Sequence, residues 1–261
     1  MAIPKIIHYC WFGRNPKPQM AERCIRSWNN YCPDYQVIEW NEDNYDLSSA
    51  PLYVRQAYEA KRWAIVTDYI RLHIVYENGG IYLDTDVEMI KPMDPLLVYQ
   101  SYFGFEDGKN VATGLGFGAE KGHNILKEMM EDYQHICFQN EDGTFDLAPC
   151  PIRNTKVFLR HGLIQNNTRQ ILNDSILILP TEYLCPIDYA TDTKNITENT
   201  YSIHWFDASW QTEEDRIHTQ MWKRDVYREQ KMLRWISFRR RVRRIILNDE
   251  QYEKLKAILK K

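Results

Sequence analysis

Short apolar runs alternate along the chain with longer segments of helical periodicity. The run KIIHYCWFG at residues 5–13 and the run YQVIEWN at residues 35–41 are typical of buried strands. Between them, apolar residues recur every three or four positions from Met20 to Trp28, and Pro33 ends the pattern. A strand, a helix and a second strand in this order predict an α/β layer architecture.

The same alternation continues to about residue 210. Residues 51–78 predict two helices, and the second ends at Gly79 and Gly80, since glycine adopts the left-handed conformation that closes a helix. A strand follows at once, beginning at Ile81. One more helix is predicted at residues 122–136, and further strands at residues 101–107, 112–120, 174–186 and 201–210.

The character of the sequence changes near residue 211. Thr212 and Asp215 have the spacing of a helix-capping box, and the residues after them are polar with helical periodicity. We therefore expect two parts, an α/β domain over residues 1–211 and a helical extension over residues 212–261.

The segment 231–247 has seven Lys and Arg residues and no acid. Within it Trp235, Phe238 and Val242 recur at helical spacing, so the segment predicts a basic amphipathic helix that lies on an anionic membrane surface. The alternative is a helix packed on the domain with a solvated arginine face.

Composition narrows the classes of function. The 261 residues are 44% hydrophobic and 26% charged with a net charge of −3, which predicts a folded protein and no nucleic-acid partner. None of the six cysteines forms a C-x-x-C pair, so reduced structural thiols are expected instead of a zinc or thioredoxin-type site. The first residues lack the apolar stretch of a signal peptide, and we expect a cytoplasmic protein that is peripheral at the inner face of the membrane.

The stretch IYLDTDVEMI at residues 81–90 holds the strongest candidate chemistry. In an extended strand Tyr82, Asp84 and Asp86 share one face. Two neighbouring carboxylates repel each other unless a positive charge compensates them. The stretch is therefore either a solvated acidic turn or a divalent metal site.

A second pair of charges precedes this stretch. Asp68 and Arg71 lie three residues apart on one face of the predicted helix. They form either a surface ion pair or part of a crevice at the carboxyl end of the following strand, where open α/β sheets bind ligands.

The string TDYIRLHIVYENGGIYLDTDVEMIKP resembles the signature of the DXD-containing sugar transferases of glycosyltransferase family 32. That family includes bacterial capsule and exopolysaccharide enzymes and yeast mannosyltransferases, and is related to the glucosyltransferase domains of clostridial toxins. The opening IPKIIHYCWFG and the late HWFDASW resemble its ends, so the resemblance covers residues 3–210. It implies a GT-A-type fold with a mixed, mainly parallel sheet between helices.

The resemblance also implies roles for the acidic residues. Asp86 would bind Mn²⁺ or Mg²⁺ directly, and Asp84 would contact the ribose and the donor sugar and reach the metal through water. Asp68 and Arg71 would hold donor-sugar hydroxyls. Carboxylate ligands suit a hard cation, and the bound metal would help the diphosphate group to leave.

Four further residues are implied around the donor. Tyr82 would line the sugar pocket and Trp11 would stack on the base, unless Trp11 is a core residue. His204 is a candidate third metal ligand, with a buried structural histidine as the alternative. Ser209 and Trp210 would close over the diphosphate.

The reaction implied is metal-dependent hexosyl transfer with retention of configuration. The donor would be a UDP-hexose or GDP-mannose, and the acceptor a saccharide or lipid-linked molecule in cell-surface polysaccharide synthesis. Two alternatives remain at this point, a haloacid-dehalogenase-like phosphohydrolase and a non-enzymatic, metal-dependent sugar-binding module. The phosphohydrolase reading lacks its usual downstream acidic pair.

Overall fold

The computed structural model describes residues 3–208 and 213–246. The chain divides into two compact units, Met1–Trp210 and Gln211–Lys261. In the first unit the helices are α1 (Gln19–Tyr31), α2 (Leu52–Glu59), α3 (Trp63–Asn78), α4 (Asn124–Gln134), α5 (Cys150–Arg160) and α6 (Thr181–Leu184). Its strands are β1 (Ile6–Cys10), β2 (Gln36–Trp40), β3 (Gly80–Tyr82), β4 (Val87–Met89), β5 (Ser101–Phe105), β6 (Val111–Ala112), β7 (Phe117–Ala119), β8 (Gln170–Leu172), β9 (Ile176–Leu179) and β10 (Ser202–His204).

An eight-stranded mixed sheet forms the centre of this unit. Its order is β2-β1-β3-β7-β5-β9-β8, with β6 paired to the end of β5. The pairings give β1, β2, β3, β5 and β9 one common direction, and the other three strands the opposite one. The predicted mixed, mainly parallel sheet is confirmed, and five strands end at the same edge.

Both faces of the sheet are buried. Alternate residues of β5 show this, since Phe103 and Phe105 pack in one core cluster with α2, α3, α4 and α5, whereas Tyr102 packs in a second cluster with Trp28 of α1. A central strand covered on both faces explains why the strand segments are apolar runs instead of alternating patterns.

The paired glycines allow α3 to pass closely behind β1. Gly80 has φ of +112°, and a Cβ there would lie 2.7 Å from the carbonyl oxygen of Ile6. His8 occupies the same corner, where its Nε2 lies 2.9 Å from the oxygen of Gly79 and its Nδ1 accepts a hydrogen bond of 3.1 Å from Nε1 of Trp40. Burial lowers the pKa of His8 to about 4, so the ring is a neutral structural bridge.

The structure differs from the sequence expectations at several places. The strand predicted over residues 112–120 is divided between β6 and β7, and the second half of the strand predicted over residues 174–186 is helix α6. The last predicted strand is short, and β10 leaves the main sheet to pair antiparallel with β4. Helix α5 was not predicted, because its apolar positions follow a polar loop and its first turn contains Cys150 and Pro151.

The second unit contains the predicted helix. Helix α7 spans Glu213–Ile246, and the side chains of Met232, Leu233 and Phe238 are exposed. Thr212, the proposed cap, and Leu247, the end of the basic segment, lie outside the described residues. None of the described helices is both long enough and apolar enough to cross a bilayer.

Candidate active site

The candidate residues gather where the parallel strands end. Trp11 directly follows β1, Asp84 and Asp86 follow β3, and Glu106 follows β5. Because these three strands run in one direction, the side chains emerge at one edge of the sheet. This is the edge at which open α/β sheets bind ligands.

Arg71 of α3 is buried at this edge and is fully engaged. Its guanidinium lies 3.1 Å from Oδ1 of Asp68 and 3.4 Å from Oδ2 of Asp84, with only 4% of the Arg71 side chain exposed. Two more hydrogen bonds, of 3.0 and 3.1 Å, go to the carbonyl and hydroxyl oxygens of Thr67. The Asp68–Arg71 pair is therefore a buried part of the crevice and not a surface ion pair.

Burial sets the charge state of Asp68. It raises the pKa of the carboxyl to about 6, although the Arg71 guanidinium acts in the opposite direction and Asp84 adds to the rise. Burial disfavours the charged form of Arg71, but Asp84 and Asp68 hold the pKa of that group above its usual value. Arg71 is thus the fixed cation of the crevice.

The DXD residues are positioned by a turn and not by strand alternation. Strand β3 ends at Tyr82, the amide of Leu83 still donates to the oxygen of His8 over 3.0 Å, and the amide of Val87 donates to the oxygen of Asp84 over 3.0 Å. The expected shared face therefore holds only for Tyr82 and Asp84, whose hydroxyl and Oδ1 atoms lie 2.9 Å apart. Asp86 reaches the same space because the chain reverses after Asp84.

Asp86 is held by the segment after β10. Nε2 of His204 lies 3.3 Å from its Oδ1, and the amide of Asp207 donates to its Oδ2 over 3.0 Å. The amide of Trp205 donates to the backbone oxygen of Asp86 over 3.0 Å. Phe206 lies inside this segment with φ of +54°, a strained value for a residue with a side chain, and such strain clusters at functional sites.

The pKa values of Asp84 and Asp86 are shifted in opposite directions. Burial raises the pKa of Asp84, and the neighbouring Asp86 adds to this rise while Arg71 opposes it. Burial also acts to raise the pKa of Asp86, but His204 and the Asp207 amide outweigh it and lower that pKa. In return Asp86 raises the pKa of His204, against the effect of burial.

These residues fit a divalent cation. One ligand atom from each of Asp84, Asp86 and His204 lies within 4.8 Å of the others. Two carboxylates and an imidazole are ligands that Mn²⁺ and Mg²⁺ accept, with a preference for oxygen. A cation would also compensate the repulsion between Asp84 and Asp86, which adds to the effect of burial on the pKa of Asp84. The cluster can therefore hold a divalent metal ion.

Gly114 borders this cluster and was not identified from the sequence. A Cβ at Gly114 would lie 2.7 Å from Oδ2 of Asp84 and 3.0 Å from Nη1 of Arg71. Gly114 belongs to the glycine-rich run ATGLGFG. Glycines in such a run indicate that another group approaches the backbone closely, but they do not identify that group.

The other site residues predicted from the sequence are Trp11, Tyr82, Ser209 and Trp210. Trp11 lies partly buried at the same edge, and its Nε1 donates to the oxygen of Asn15 over 2.6 Å. Tyr82 is buried beneath Asp84, with the Arg71 guanidinium 5.1 Å from its ring centre. Ser209 and Trp210 lie outside the described residues.

Comparison with known proteins agrees with this geometry. Residues 18–103 match the model of a protein family described as the glycosyltransferase sugar-binding region containing a DXD motif. This region of the chain is similar to the DXD-containing glycosyltransferases. The matched region includes Asp68, Arg71, Asp84 and Asp86, whereas His204 and Glu106 lie beyond it.

Proteins similar to this chain occur in yeast and bacteria. Inositol phosphoceramide mannosyltransferase 3 of Schizosaccharomyces pombe is 30% identical over 141 residues, which cover 52% of this chain and 39% of that protein. Subversion of eukaryotic traffic protein A of Legionella pneumophila is 23% identical over 186 residues, covering 59% of this chain and 28% of that protein. The matches span less than half the length of these relatives.

One solved structure that matches is the PaToxG glycosyltransferase. It has a TM-score of 0.47 and 18% sequence identity, and the match covers 60% of this chain and 69% of that one.

Proposed function

We propose that this protein is a metal-dependent, retaining hexosyltransferase whose catalytic domain spans residues 1–211. The donor is a nucleotide-diphosphate sugar, and the acceptor is a saccharide or a lipid-linked molecule of the cell surface. The observation that carries the proposal is the convergence of Asp84, Asp86 and His204 within 4.8 Å beside the buried Asp68–Arg71 pair.

In this proposal Asp86 and His204 hold Mn²⁺ or Mg²⁺, and Asp84 completes the site directly or through water. The bound metal supplies Lewis acidity that stabilises the diphosphate leaving group. Asp207 and Trp205 orient Asp86 through their amides, as the residues behind metal ligands commonly do. Asp84 also accepts from Tyr82, which fixes the direction of its carboxylate.

The donor sugar is assigned to the space beside Asp68, Arg71 and Asp84. A guanidinium flanked by two carboxylates offers both donors and acceptors to sugar hydroxyls. Trp11 is placed to stack on the nucleotide base, since it follows β1 at the same edge of the sheet. Ser209 and Trp210 are assigned by resemblance to the diphosphate.

The proposed transfer retains the anomeric configuration of the donor sugar. The leaving diphosphate takes the proton of the acceptor hydroxyl on the same face of the sugar, and no covalent enzyme intermediate is required. The names of the yeast relatives describe mannosyl transfer to inositol phosphoceramide. They support GDP-mannose over a UDP-hexose as donor and a lipid-linked acceptor over a free saccharide.

The proposed place of action is the inner face of the membrane. The basic segment of α7 would bind anionic lipid headgroups and bring the enzyme to a lipid-linked acceptor. The exposed Trp235 and Phe238, three residues apart on the helix, would supply apolar contacts with the lipid.

Calorimetric titration with GDP and UDP, with and without Mn²⁺, tests the proposal. We expect one nucleotide to bind only with the metal, and Asp86→Asn to lose that binding. Glu120→Gln is the matched control, because Glu120 follows β7 at the opposite edge of the sheet. Circular dichroism verifies that each variant is folded.

Labelled GDP-mannose and UDP-glucose, offered with lipid-linked and free saccharide acceptors, then establish the reaction. Saccharide binding without any nucleotide would support a sugar-binding module instead. Metal-dependent hydrolysis of a simple phosphate monoester, with no nucleotide binding, would support a phosphohydrolase.

A further inference from the structure

Glu88 of β4 joins two elements that lie beside the candidate metal site. Val87 and Met89 on either side of it are buried in the second core cluster, so strand alternation turns the Glu88 side chain away from that cluster. Nη2 of Arg23 in α1 donates to its Oε2 over 2.7 Å, and Nε of Arg23 to its Oε1 over 3.2 Å. Nε1 of Trp205 donates to the same Oε2 over 2.8 Å. Glu88 therefore connects α1 to the segment that follows β10.

The contact holds the indole ring of Trp205 by its edge and by its face. An indole N–H can only donate a hydrogen bond, and the Glu88 carboxylate accepts it. The guanidinium of Arg23, which is held to Glu88 by charge-assisted hydrogen bonds, lies 5.2 Å from the centre of the same ring. Only 16% of the Glu88 side chain is exposed, so solvent screens these contacts less than it screens an ordinary surface ion pair. The ring therefore has one defined position.

The backbone around this ring contacts Asp86. The amide of Trp205 donates to the backbone oxygen of Asp86 over 3.0 Å, and the amide of Asp207 donates to Oδ2 of Asp86 over 3.0 Å. His204, the residue before Trp205, places Nε2 at 3.3 Å from the other carboxylate oxygen. Three of the four residues 204–207 thus contact Asp86, and a shift of Trp205 would disturb all three contacts.

Backbone strain makes this stretch depend on its side-chain contacts. Phe206 lies between the two donating amides with φ of +54°, which is unfavourable for a residue with a side chain. Such a conformation persists only where the surroundings fix the chain on both sides. On one side Glu88 holds the Trp205 ring, and on the other the Phe206 ring packs 4.8 Å from the ring of Tyr189. Release of the Trp205 ring would allow Phe206 to relax and the Asp207 amide to leave Asp86.

We propose that Glu88 is a positioning residue of the metal site. By holding the Trp205 ring it keeps the amides of Trp205 and Asp207 on Asp86, and so fixes the direction of the Asp86 carboxylate. This inference rests on the proposed metal-dependent function and adds to it a residue that binds neither the metal nor the donor itself. Residues that orient metal ligands commonly change metal affinity about 10- to 100-fold when they are replaced.

The test measures Mn²⁺ affinity instead of activity. The electron paramagnetic resonance signal of free Mn²⁺ gives dissociation constants with and without GDP or UDP. We expect Glu88→Ala and Trp205→Phe each to weaken Mn²⁺ binding roughly tenfold, because each removes the hydrogen bond that holds the indole. Trp205→Phe changes no charge, so its effect is independent of the electrostatic field of Glu88. Glu88→Gln should bind Mn²⁺ nearly as tightly as the wild type, because its amide oxygen still accepts from the indole.

A control variant removes a different ion pair. Asp34 lies 2.6 Å from Nζ of Lys5, which directly precedes β1 and so lies at the sheet edge opposite to the metal cluster. Asp34→Asn should therefore bind Mn²⁺ as the wild type does. Melting temperatures in EDTA are measured for every variant, so that loss of stability is separated from loss of metal affinity.

The double variant of Glu88→Ala and Trp205→Phe should lose little more Mn²⁺ affinity than either single variant, because both act through one hydrogen bond. Full additivity, unchanged Mn²⁺ affinity in the single variants, or an equal loss in Glu88→Gln and Glu88→Ala would overturn the inference and leave the metal site standing. Lower melting temperatures with unchanged Mn²⁺ affinity would show a structural role and would overturn it too. A wild type that binds Mn²⁺ neither alone nor with GDP or UDP would refute the metal-dependent function, and this inference with it.

Discussion

Nε2 of His204 lies 3.3 Å from Oδ1 of Asp86, although the two residues are far apart in the sequence. The contact exists because β10 pairs with β4, which directly follows Asp86. Without metal it is an ion pair, in which Asp86 raises the pKa of His204. In the proposed metal-bound state both side chains would be ligands, so the pairing of β10 with β4 would preorganise the site.

Asp84 and Asp86 should differ in their effect on the stability of the metal-free protein. Asp84→Asn should leave the melting temperature unchanged or raise it, because burial and Asp86 disfavour the Asp84 charge. Asp86→Asn should lower it, by roughly 1–3 kcal/mol of unfolding free energy, because His204 loses its counter-charge. Thermal melts in EDTA measure both. Equal shifts for the two variants would contradict the structure.

Gly114→Ala should impair the metal site without unfolding the protein. The added methyl group would lie 2.7 Å from Oδ2 of Asp84 and must displace that carboxylate. We expect Mn²⁺-dependent nucleotide binding to weaken about tenfold or more, since one misplaced ligand disturbs the whole cluster. If the effect acts through Asp84, Gly114→Ala should cause little further loss in an Asp84→Ala background. Full additivity of the two substitutions would refute this route.

The charge of Asp68 should make stability depend on pH in an unusual direction. Its folded pKa of about 6 is above the usual value, so the folded state binds more protons than the unfolded state between roughly pH 4 and pH 6. The contribution of Asp68 is therefore fully present below this window and is lost as the pH rises through it. The difference in unfolding free energy between wild type and Asp68→Asn should fall by roughly 1–3 kcal/mol across the window. A difference that rises with pH would contradict the burial of Asp68.

The basic segment 231–247 should bind anionic membranes in a salt-sensitive manner. Each basic residue near an anionic surface contributes about 1 kcal/mol until salt screens it. Co-sedimentation should therefore show binding to vesicles that contain phosphatidylserine, loss of that binding at high salt, and none to neutral vesicles. A chain truncated after Gln230 should stay in the supernatant. Equal binding to neutral vesicles, or binding by the truncated chain, would defeat the proposal.

The sequence by itself determined the elements and the chemistry of one half of the site. Apolar runs and helical periodicity placed β1, α1, β2, α2, α3 and β3 correctly, because these signals depend on neighbours in the chain. The same locality identified Asp68, Arg71, Asp84 and Asp86, which lie in one helix and in the turn that follows one short strand.

Only the tertiary structure decided the other half. The contacts of Asp86 with His204 and Asp207 and the close approach of Gly114 to Asp84 join segments that are distant in sequence. Burial decided the charges as well, since an Asp and an Arg three residues apart form a surface pair or a buried one depending on what packs over them. The whole sheet determines this packing, and a local sequence pattern does not encode it.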